Sequence, residues 1–295
     1  MALASKVPVI DLAESFSNSN KEAVAKLIGE TLQEVGFFTV TNHGIDPAAI
    51  ERTFDAARRF FAKDEQDKRK LATFEPLRDA GQPGNLNESF VLGDAVEATW
   101  PEDDPEFRRD VESYYERVMR LALHVVHLIA ISLDLHEDFF DRFLVNPTTS
   151  GLTLRHYPPR SASAPEGQVS FGAHTDLGCV TILAQDDVGG LDVRTLSGEW
   201  VPVTPTRGDL IVNIGDIMAR WTNDRYQSNY HRVLEPSSGR DRYVAALFCD
   251  PAMNTVVECI PALVTDKPKY EPFTVQEFFD ERFKAYRDAA GNPVN

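Results

Sequence analysis

The chain has 295 residues, of which 42% are hydrophobic and 26% are charged. This composition is typical of a folded globular protein and excludes a fibrous or largely disordered chain. The 30 basic and 46 acidic side chains give a formal net charge of −16, which repels phosphate backbones and anionic membrane surfaces and argues against general nucleic-acid binding.

Helices and short strands alternate in the first half of the chain, as apolar spacing switches between helical and β-prone patterns. The predicted elements are a strand over residues 7–12, a helix over 21–34, a strand over 37–40, a helix from about 47 to past 62, a long helix over 105–133 and a shorter one from about 137. Between about residues 70 and 104, Gly, Pro, Asn and charged residues predict a long surface loop at the mouth of an active site.

After Asn146 the sequence changes character, because short β-prone runs recur between turn signals. Strands are predicted over residues 152–157, 180–185, 191–194, 210–214 and 243–248, and a final amphipathic helix over 275–287. We therefore expect one domain over residues 1–295 that is mainly β with flanking helices, its core a sandwich or jelly roll. Its parts are a helical and strand region over 1–145, the sheet-rich core over 146–270, and a C-terminal helix and tail over 271–295.

Three cysteines, Cys179, Cys249 and Cys259, are an odd number without CxxC spacing. They indicate free thiols in a reducing compartment. Neither a signal peptide near Met1 nor a run of about 20 apolar residues is found. We therefore expect a cytoplasmic protein without membrane insertion, and no obligate protein partner is evident.

Two His-x-Asp spacings occur, His136 with Asp138 and His174 with Asp176. On a strand residues i and i+2 project from the same face, whereas on a helix they point about 200° apart. The first pair begins a helical segment, where Asp138 is explained as a first-turn carboxylate. The second pair lies just before a β-prone run, so its imidazole and carboxylate are able to converge on one metal ion.

A second histidine from a distant strand would complete a set of two imidazoles and one carboxylate. Such a set leaves adjacent coordination positions open, which iron(II) needs in order to bind a bidentate cosubstrate together with O₂. A closed structural zinc site would require a fourth protein ligand, usually cysteine. A site of this composition would indicate a non-haem iron(II) enzyme.

Several segments resemble the iron(II)/2-oxoglutarate oxygenases of the isopenicillin N synthase-like group. They are VPVIDL, GFFTVTNHGI, NESFVLGD, FGAHTDLGCVTILAQDDVGGLDV, GEWVPV, GDLIVNIGDIMARWTN, YHRVLEPSSGRDRY and LFCDP, and they cover nearly the whole chain. The resemblance implies a double-stranded β-helix that holds Fe(II) through His174, Asp176 and His231. It also implies 2-oxoglutarate and O₂ as cosubstrates.

The resemblance assigns Arg242 and Tyr157 to the distal carboxylate of 2-oxoglutarate. The family carries a Ser two residues after this Arg, where the present chain has Val244. A guanidinium holds a carboxylate through two charge-assisted hydrogen bonds, so Arg242 is able to anchor it alone. The missing hydroxyl removes a contribution of about 1 kcal/mol. We expect weaker or shifted 2-oxoglutarate binding.

Substrate residues are predicted from the same comparison and from strand alternation. Arg155 stands two residues before Tyr157 and should point toward the cavity near the metal, where a buried Arg requires an anion. We hypothesise that it binds a carboxylate of a small metabolite; an internal ion pair is the alternative. Leu183 and Phe248 match pocket-lining positions, although core packing also explains them. Loop context places Ser89 and Phe90 at the lip of the mouth.

Three functions remain open from the sequence. The first is coupling of 2-oxoglutarate decarboxylation to hydroxylation, desaturation or cyclisation, with specialised metabolism as the setting suggested by the breadth of the family. The second is a 2-oxoglutarate-independent oxidase of the isopenicillin N synthase type, which Val244 keeps open. The third is a non-catalytic ligand receptor, which three convergent metal ligands argue against. No phosphate-binding GxGxxG or GxxxxGK[ST] loop is present.

Overall fold

The computed structural model describes residues 7–17, 20–76, 86–93, 98–144, 149–159, 169–235 and 238–289. The helices are α1 (Lys21–Glu34), α2 (Pro47–Phe61), α3 (Glu65–Lys68), α4 (Pro105–Ser132), α5 (Asp141–Leu144), α6 (Asp216–Trp221) and α7 (Val275–Ala289). The strands are β1 (Val9–Asp11), β2 (Phe37–Thr41), β3 (Phe74–Glu75), β4 (Glu88–Gly93), β5 (Gly151–Tyr157), β6 (Val169–His174), β7 (Val180–Gln185), β8 (Leu191–Arg194), β9 (Trp200–Pro202), β10 (Leu210–Ile214), β11 (His231–Leu234), β12 (Arg242–Cys249), β13 (Val256–Val257) and β14 (Phe273–Thr274).

Two sheets form the core of the fold. The larger has eight strands in the order β1-β2-β10-β7-β12-β5-β4-β3, and the smaller has four in the order β6-β11-β8-β9. Phe37 and Val244 of the large sheet share an apolar cluster with Leu191 and Val233 of the small one. Side chains on the facing sides of the two sheets therefore meet, which confirms the predicted jelly-roll core.

The helices cover the other face of the large sheet, where α1, α2 and α4 contribute to a second and larger apolar cluster. Polar side chains define where two of these helices begin. Asp46 accepts a hydrogen bond from the backbone of Ala48 at 2.9 Å before α2, and Asp104 accepts one from Phe107 at 3.0 Å before α4. A proline follows each cap, so both helices start as the sequence predicts.

The first part of the chain contributes directly to the large sheet. Strands β1 and β2 pair in parallel, β2 then pairs with β10, and β4 pairs with β5. The predicted boundary at residue 145 stays a prediction, but the large sheet contains strands from both sides of it. Helix α7 follows β14, and its Val275, Phe278 and Phe279 are buried against the core.

Two local predictions are wrong. The segment predicted as one surface loop contains β3 and β4, because Phe74 and Phe90 are buried there and their neighbours pair with adjacent strands. Residues 77–85 and 94–97 of that segment lie outside the described residues. The helix expected from Glu137 begins only at Asp141, after a turn.

Among the helices in the described part of the chain, none combines the length and apolar character needed to cross a bilayer.

Candidate metal centre

Strands β6 and β11 bring two histidines together. Their antiparallel register places His231 directly opposite His174, at the end of β6, and the two ring centroids are 4.1 Å apart. The strand ranges predicted from the sequence include neither β6 nor β11, although the second histidine was expected on a distant strand. The distant histidine therefore arrives through strand pairing rather than through any local spacing.

Asp176 completes the group from the loop that follows β6. Its Oδ1 lies 3.8 Å from Nε2 of His174 and 3.6 Å from Nε2 of His231. Potential ligand atoms of the three residues all lie within 4.8 Å of one another, and no other such cluster of three is found among the described residues. Three donor atoms that converge in this way suit a facial two-histidine, one-carboxylate metal site.

Backbone carbonyls set the orientation of both imidazoles. Nδ1 of His174 lies 2.8 Å from the carbonyl of Gly172, and Nδ1 of His231 lies 3.4 Å from that of Asn229. A carbonyl only accepts hydrogen bonds, so each Nδ1 carries a proton, and Nε2 is the nitrogen of each ring that lies on the side of Asp176. This is the tautomer that a metal-binding histidine requires.

Two polar side chains fix the carboxylate, and sequence reasoning missed both. Oδ2 of Asp176 accepts a hydrogen bond from Thr181 Oγ1 at 2.6 Å and another from Asn213 Nδ2 at 2.7 Å. Thr181 on β7 and Asn213 on β10 are paired residues of the large sheet. Oδ1 is consequently the oxygen that faces the histidines. A polar residue within an otherwise apolar strand, such as Asn213 in LIVNI, was the available signal.

Burial and mutual charge set the protonation of this group. Burial lowers the pKa of His174 to about 4, with His231 adding to the effect, so His174 is neutral near pH 7. Burial works to raise the pKa of Asp176, but His231 and His174, with the hydrogen bonds from Thr181 and Asn213, lower it below its ordinary value. Neutral imidazole and ionised carboxylate are the forms that bind metal.

Helix α6 holds the loop that carries Asp176. The backbone N–H of Asp216 donates to the carbonyl of Asp176 at 2.8 Å. The Asp216 side chain, which is buried, accepts hydrogen bonds at Oδ2 from Thr175 Oγ1 at 3.3 Å and from Nη2 of Arg282 at 3.0 Å. Because Arg282 belongs to α7, this chain of contacts links the C-terminal helix to the residue between His174 and Asp176.

Asp250 holds the same loop from another side. Its Oδ1 accepts a hydrogen bond from the backbone N–H of Cys179 at 3.2 Å. A Cβ placed on Gly178 would lie 1.5 Å from that oxygen, and one on Gly215 would lie 2.4 Å from the carbonyl of Gly178. Both positions therefore require glycine for close packing rather than for an unusual backbone angle.

The remaining histidines have other partners. His136 and Asp138 bond to each other at the surface, where both side chains are largely exposed, so the competing His-x-Asp spacing forms no metal site. His43 bonds to the Gly208 carbonyl, His124 to Ser15, His127 to Asp141, and His156 to Glu88 and Asp241.

Arg242 and Tyr157 are directly opposite each other on β12 and β5, as strand pairing requires for a shared site. The guanidinium carbon of Arg242 lies 4.9 Å from the centroid of the Tyr157 ring, and Arg242 is 1% exposed. Its Nη2 donates to Gln185 Oε1 at 3.1 Å, whereas its Nε and Nη1 are buried and find no hydrogen-bond partner in the described part of the chain. Among the described residues no carboxylate forms an ion pair with this buried cation.

Arg155 lies on β5 two residues before Tyr157, so both side chains project from the same face of the sheet. Arg155 pairs with Val244 of β12. Its Nη1 donates to Asn87 Oδ1 at 3.0 Å, and its guanidinium carbon lies 5.0 Å from the centroid of the Phe171 ring. The internal ion pair considered from the sequence is not found among the described residues, because the partner is a neutral amide.

The predicted pocket residues divide into two groups. Leu183 is half-buried and packs against the cluster between the sheets, and Phe248 is half-buried on the same face of β12 as Arg242. The lip predicted at Ser89 and Phe90 is wrong. Phe90 is fully buried on the helical side, 4.9 Å from the Phe107 ring, and Ser89 is buried and donates to Glu75 at 2.9 Å.

Comparison with known proteins decides the family. The family model described as the 2OG-Fe(II) oxygenase superfamily matches residues 148–251. The model described as non-haem dioxygenase in morphine synthesis N-terminal matches residues 7–112. The chain is also 35% identical to the 2-oxoglutarate-Fe(II) type oxidoreductase hxnY of Emericella nidulans, over 94% of this chain and 89% of that protein. The chain belongs to the 2OG-Fe(II) oxygenase superfamily.

Solved structures agree with this assignment. A full-length Neurospora crassa protein in complex with alpha-KG, another name for 2-oxoglutarate, matches with a TM-score of 0.88 and 27% identity over 97% of the oxygenase and 100% of that chain. The rice dioxygenase for auxin oxidation matches with a TM-score of 0.80 and 27% identity, over 98% of the oxygenase and 97% of that chain. The protein is thus an Fe(II)- and 2-oxoglutarate-dependent oxidoreductase of small molecules, and neither rival function gains support.

Proposed function

We propose that His174, Asp176 and His231 hold the iron of this oxygenase. The observation that carries the proposal is the convergence of two Nε2 atoms and Asp176 Oδ1, while Asp176 Oδ2 is already occupied by hydrogen bonds. Iron bound with 2-oxoglutarate and O₂ supplies the oxidising chemistry, with succinate and CO₂ as coproducts. The protein orients the ligands and excludes water from the space between the sheets.

Arg242 and Tyr157 bind the distal carboxylate of 2-oxoglutarate in this proposal. Two buried guanidinium nitrogens of Arg242 that have no hydrogen-bond partner among the described residues support it, since buried donors are normally satisfied. A carboxylate accepts two parallel hydrogen bonds from a guanidinium and neutralises its charge. Tyr157 provides an aromatic wall beside that guanidinium.

The substrate is a small molecule that carries an anionic group, with Arg155 as its partner. Arg155 donates to an amide oxygen, which orients the guanidinium but leaves its charge uncompensated. Leu183 and Phe248 supply apolar contact near the centre. A cytoplasmic location is part of the same proposal, and the odd number and the spacing of the cysteines support it.

Anaerobic titration of the Fe(II) protein with 2-oxoglutarate tests the cofactor site. A charge-transfer absorption should develop when 2-oxoglutarate binds. His231→Ala should lose this absorption because it loses iron. Arg242→Gln should also lose the absorption but should retain iron. Unchanged 2-oxoglutarate binding by Arg242→Gln would refute the assignment of Arg242.

A screen of small carboxylated metabolites for substrate-dependent succinate release then identifies substrates. With any substrate found, Arg155→Gln should raise the apparent KM about tenfold or more, whereas Arg194→Gln, an exposed arginine on β8, should not. An unchanged KM in Arg155→Gln would refute the anionic subsite without affecting the metal assignment.

A further inference from the structure

Gln185 lies beside the site proposed for 2-oxoglutarate. It is the last residue of β7 and pairs directly with Val244 of β12, the position at which the resembled family carries Ser. Side chains at paired positions project from the same face of a sheet. The amide of Gln185 on β7 and the guanidinium of Arg155 on β5 are therefore the polar groups paired in register with the position of the missing hydroxyl.

Among the described residues, the side-chain amide of Gln185 makes a hydrogen bond through its oxygen but not through its nitrogen. Its Oε1 accepts from Nη2 of Arg242 at 3.1 Å, which fixes the two side chains against each other. Its Nε2 is buried and has no hydrogen-bond partner among the residues that the structure describes, and the same is true of Nε and Nη1 of Arg242. Within that part of the chain, two adjacent side chains thus carry three buried nitrogen atoms whose donor capacity is unused. An oxygen anion is the class of ligand that satisfies several such donors together.

We propose that Gln185 is a further 2-oxoglutarate-binding residue, whose Nε2 donates to the distal carboxylate and supplies the donor that Val244 lacks. This inference rests on the proposed 2-oxoglutarate site. In this proposal three side chains contact the distal carboxylate: the Arg242 guanidinium, the Gln185 amide and Tyr157. Gln185 on β7 then supplies the hydrogen-bond donor that Val244 on β12 lacks, and the carboxylate keeps the same number of donors.

A purely structural role for Gln185 would consist of holding Arg242 in place. The two roles differ in how Gln185 and residue 244 interact energetically. If Gln185 supplies the donor, a hydroxyl restored at position 244 replaces it, and the two substitutions are strongly non-additive. If Gln185 only holds Arg242 in place, the same hydroxyl changes the free energy of 2-oxoglutarate binding by a similar amount whether or not the glutamine is present.

The experiment is a double-mutant cycle on the Fe(II) protein, with the 2-oxoglutarate Kd measured anaerobically. Gln185→Met, which keeps the length and removes the amide, should weaken binding about tenfold. Val244→Ser should change the Kd less than about twofold in the wild-type background and recover most of the loss in Gln185→Met. Gln276→Met, at an exposed glutamine of α7, should have no effect.

Two results would overturn the inference: an unchanged Kd in Gln185→Met, or an equal gain from Val244→Ser in both backgrounds. Fe(II) affinity, measured separately by equilibrium dialysis, reports whether Gln185→Met remains folded. Gln185→Glu provides a second variant, because its carboxylate should pair with Arg242 and repel the ligand, abolishing binding. Failure of the wild-type protein to bind 2-oxoglutarate would instead refute the proposed function.

Discussion

The Asn213 side chain donates to Oδ2 of Asp176 at 2.7 Å and so leaves Oδ1 directed at the two histidines. Thr181 makes the second bond to Oδ2. Groups that orient metal ligands typically contribute about 10- to 100-fold to metal affinity. Asn213→Ala and Thr181→Val should each weaken Fe(II) binding by at least about tenfold, as measured by anaerobic equilibrium dialysis.

Thr53→Val is a matched control for this prediction. Thr53 is also buried, but its hydroxyl donates to the Ala49 carbonyl within α2, away from the candidate centre. Its Fe(II) affinity should equal that of the wild type. Equal affinities in Thr181→Val, Asn213→Ala and the control would show that these bonds do not orient the carboxylate.

The Arg282 contact with Asp216 gives a prediction for the C-terminal helix. Asp216 also accepts a hydrogen bond from Thr175, the residue between His174 and Asp176. Removing the Arg282 guanidinium therefore loosens the side chain that holds this loop. Arg282→Gln should weaken Fe(II) binding about 3- to 10-fold, less than groups that touch the ligands directly. Coupling between two sites is reciprocal, so Fe(II) should slow amide hydrogen exchange in α7 of the wild type but not of the variant.

Lys284→Gln makes the same charge change on an exposed residue of α7 and should leave both measurements unaltered. Arg282→Lys should restore part of the affinity, since an ammonium is able to reach one carboxylate oxygen. Should Arg282→Gln bind Fe(II) as tightly as Lys284→Gln does, the helix has no part in positioning the loop.

Asp250 predicts a pH dependence of stability. Burial raises the pKa of Asp250 from its ordinary 3.8 to about 7 in the folded protein. Between these values the folded state binds a proton that the unfolded state releases. This contribution to stability is complete below about pH 4 and is lost as the pH rises through about 7. The urea midpoint of the iron-free protein should therefore fall between pH 5 and 8 more steeply in the wild type than in Asp250→Asn.

Asp250→Asn retains an oxygen able to accept from the Cys179 N–H, so the loop contact is preserved in the variant. The comparison of slopes removes the contributions of every other titrating group that the two proteins share. Parallel stability curves for the wild type and the variant would show that Asp250 is ionised in the folded state near neutral pH.

The sequence by itself determined the jelly-roll class and the oxygenase family. It also favoured the pair of His174 and Asp176 over that of His136 and Asp138, but by an argument from strand and helix periodicity that the structure does not follow, since Asp138 lies in a turn before α5 and Asp176 lies in the loop after β6. The spacing favoured His174 with Asp176, and the structure brings these residues together with His231 while His136 and Asp138 meet only each other. The residues assigned by resemblance, Arg242 and Tyr157, occupy paired positions on neighbouring strands.

Only the tertiary structure decided which groups surround those residues. The hydrogen bonds from Thr181 and Asn213 to Asp176, from Arg242 to Gln185 and from Arg155 to Asn87 join separate strands or segments. The segment around Phe90 became a strand for the same reason, since pairing with β5 and burial against Phe107 outweigh its local turn-forming composition. Strand register and packing create such contacts between residues far apart in sequence, and no local pattern encodes them.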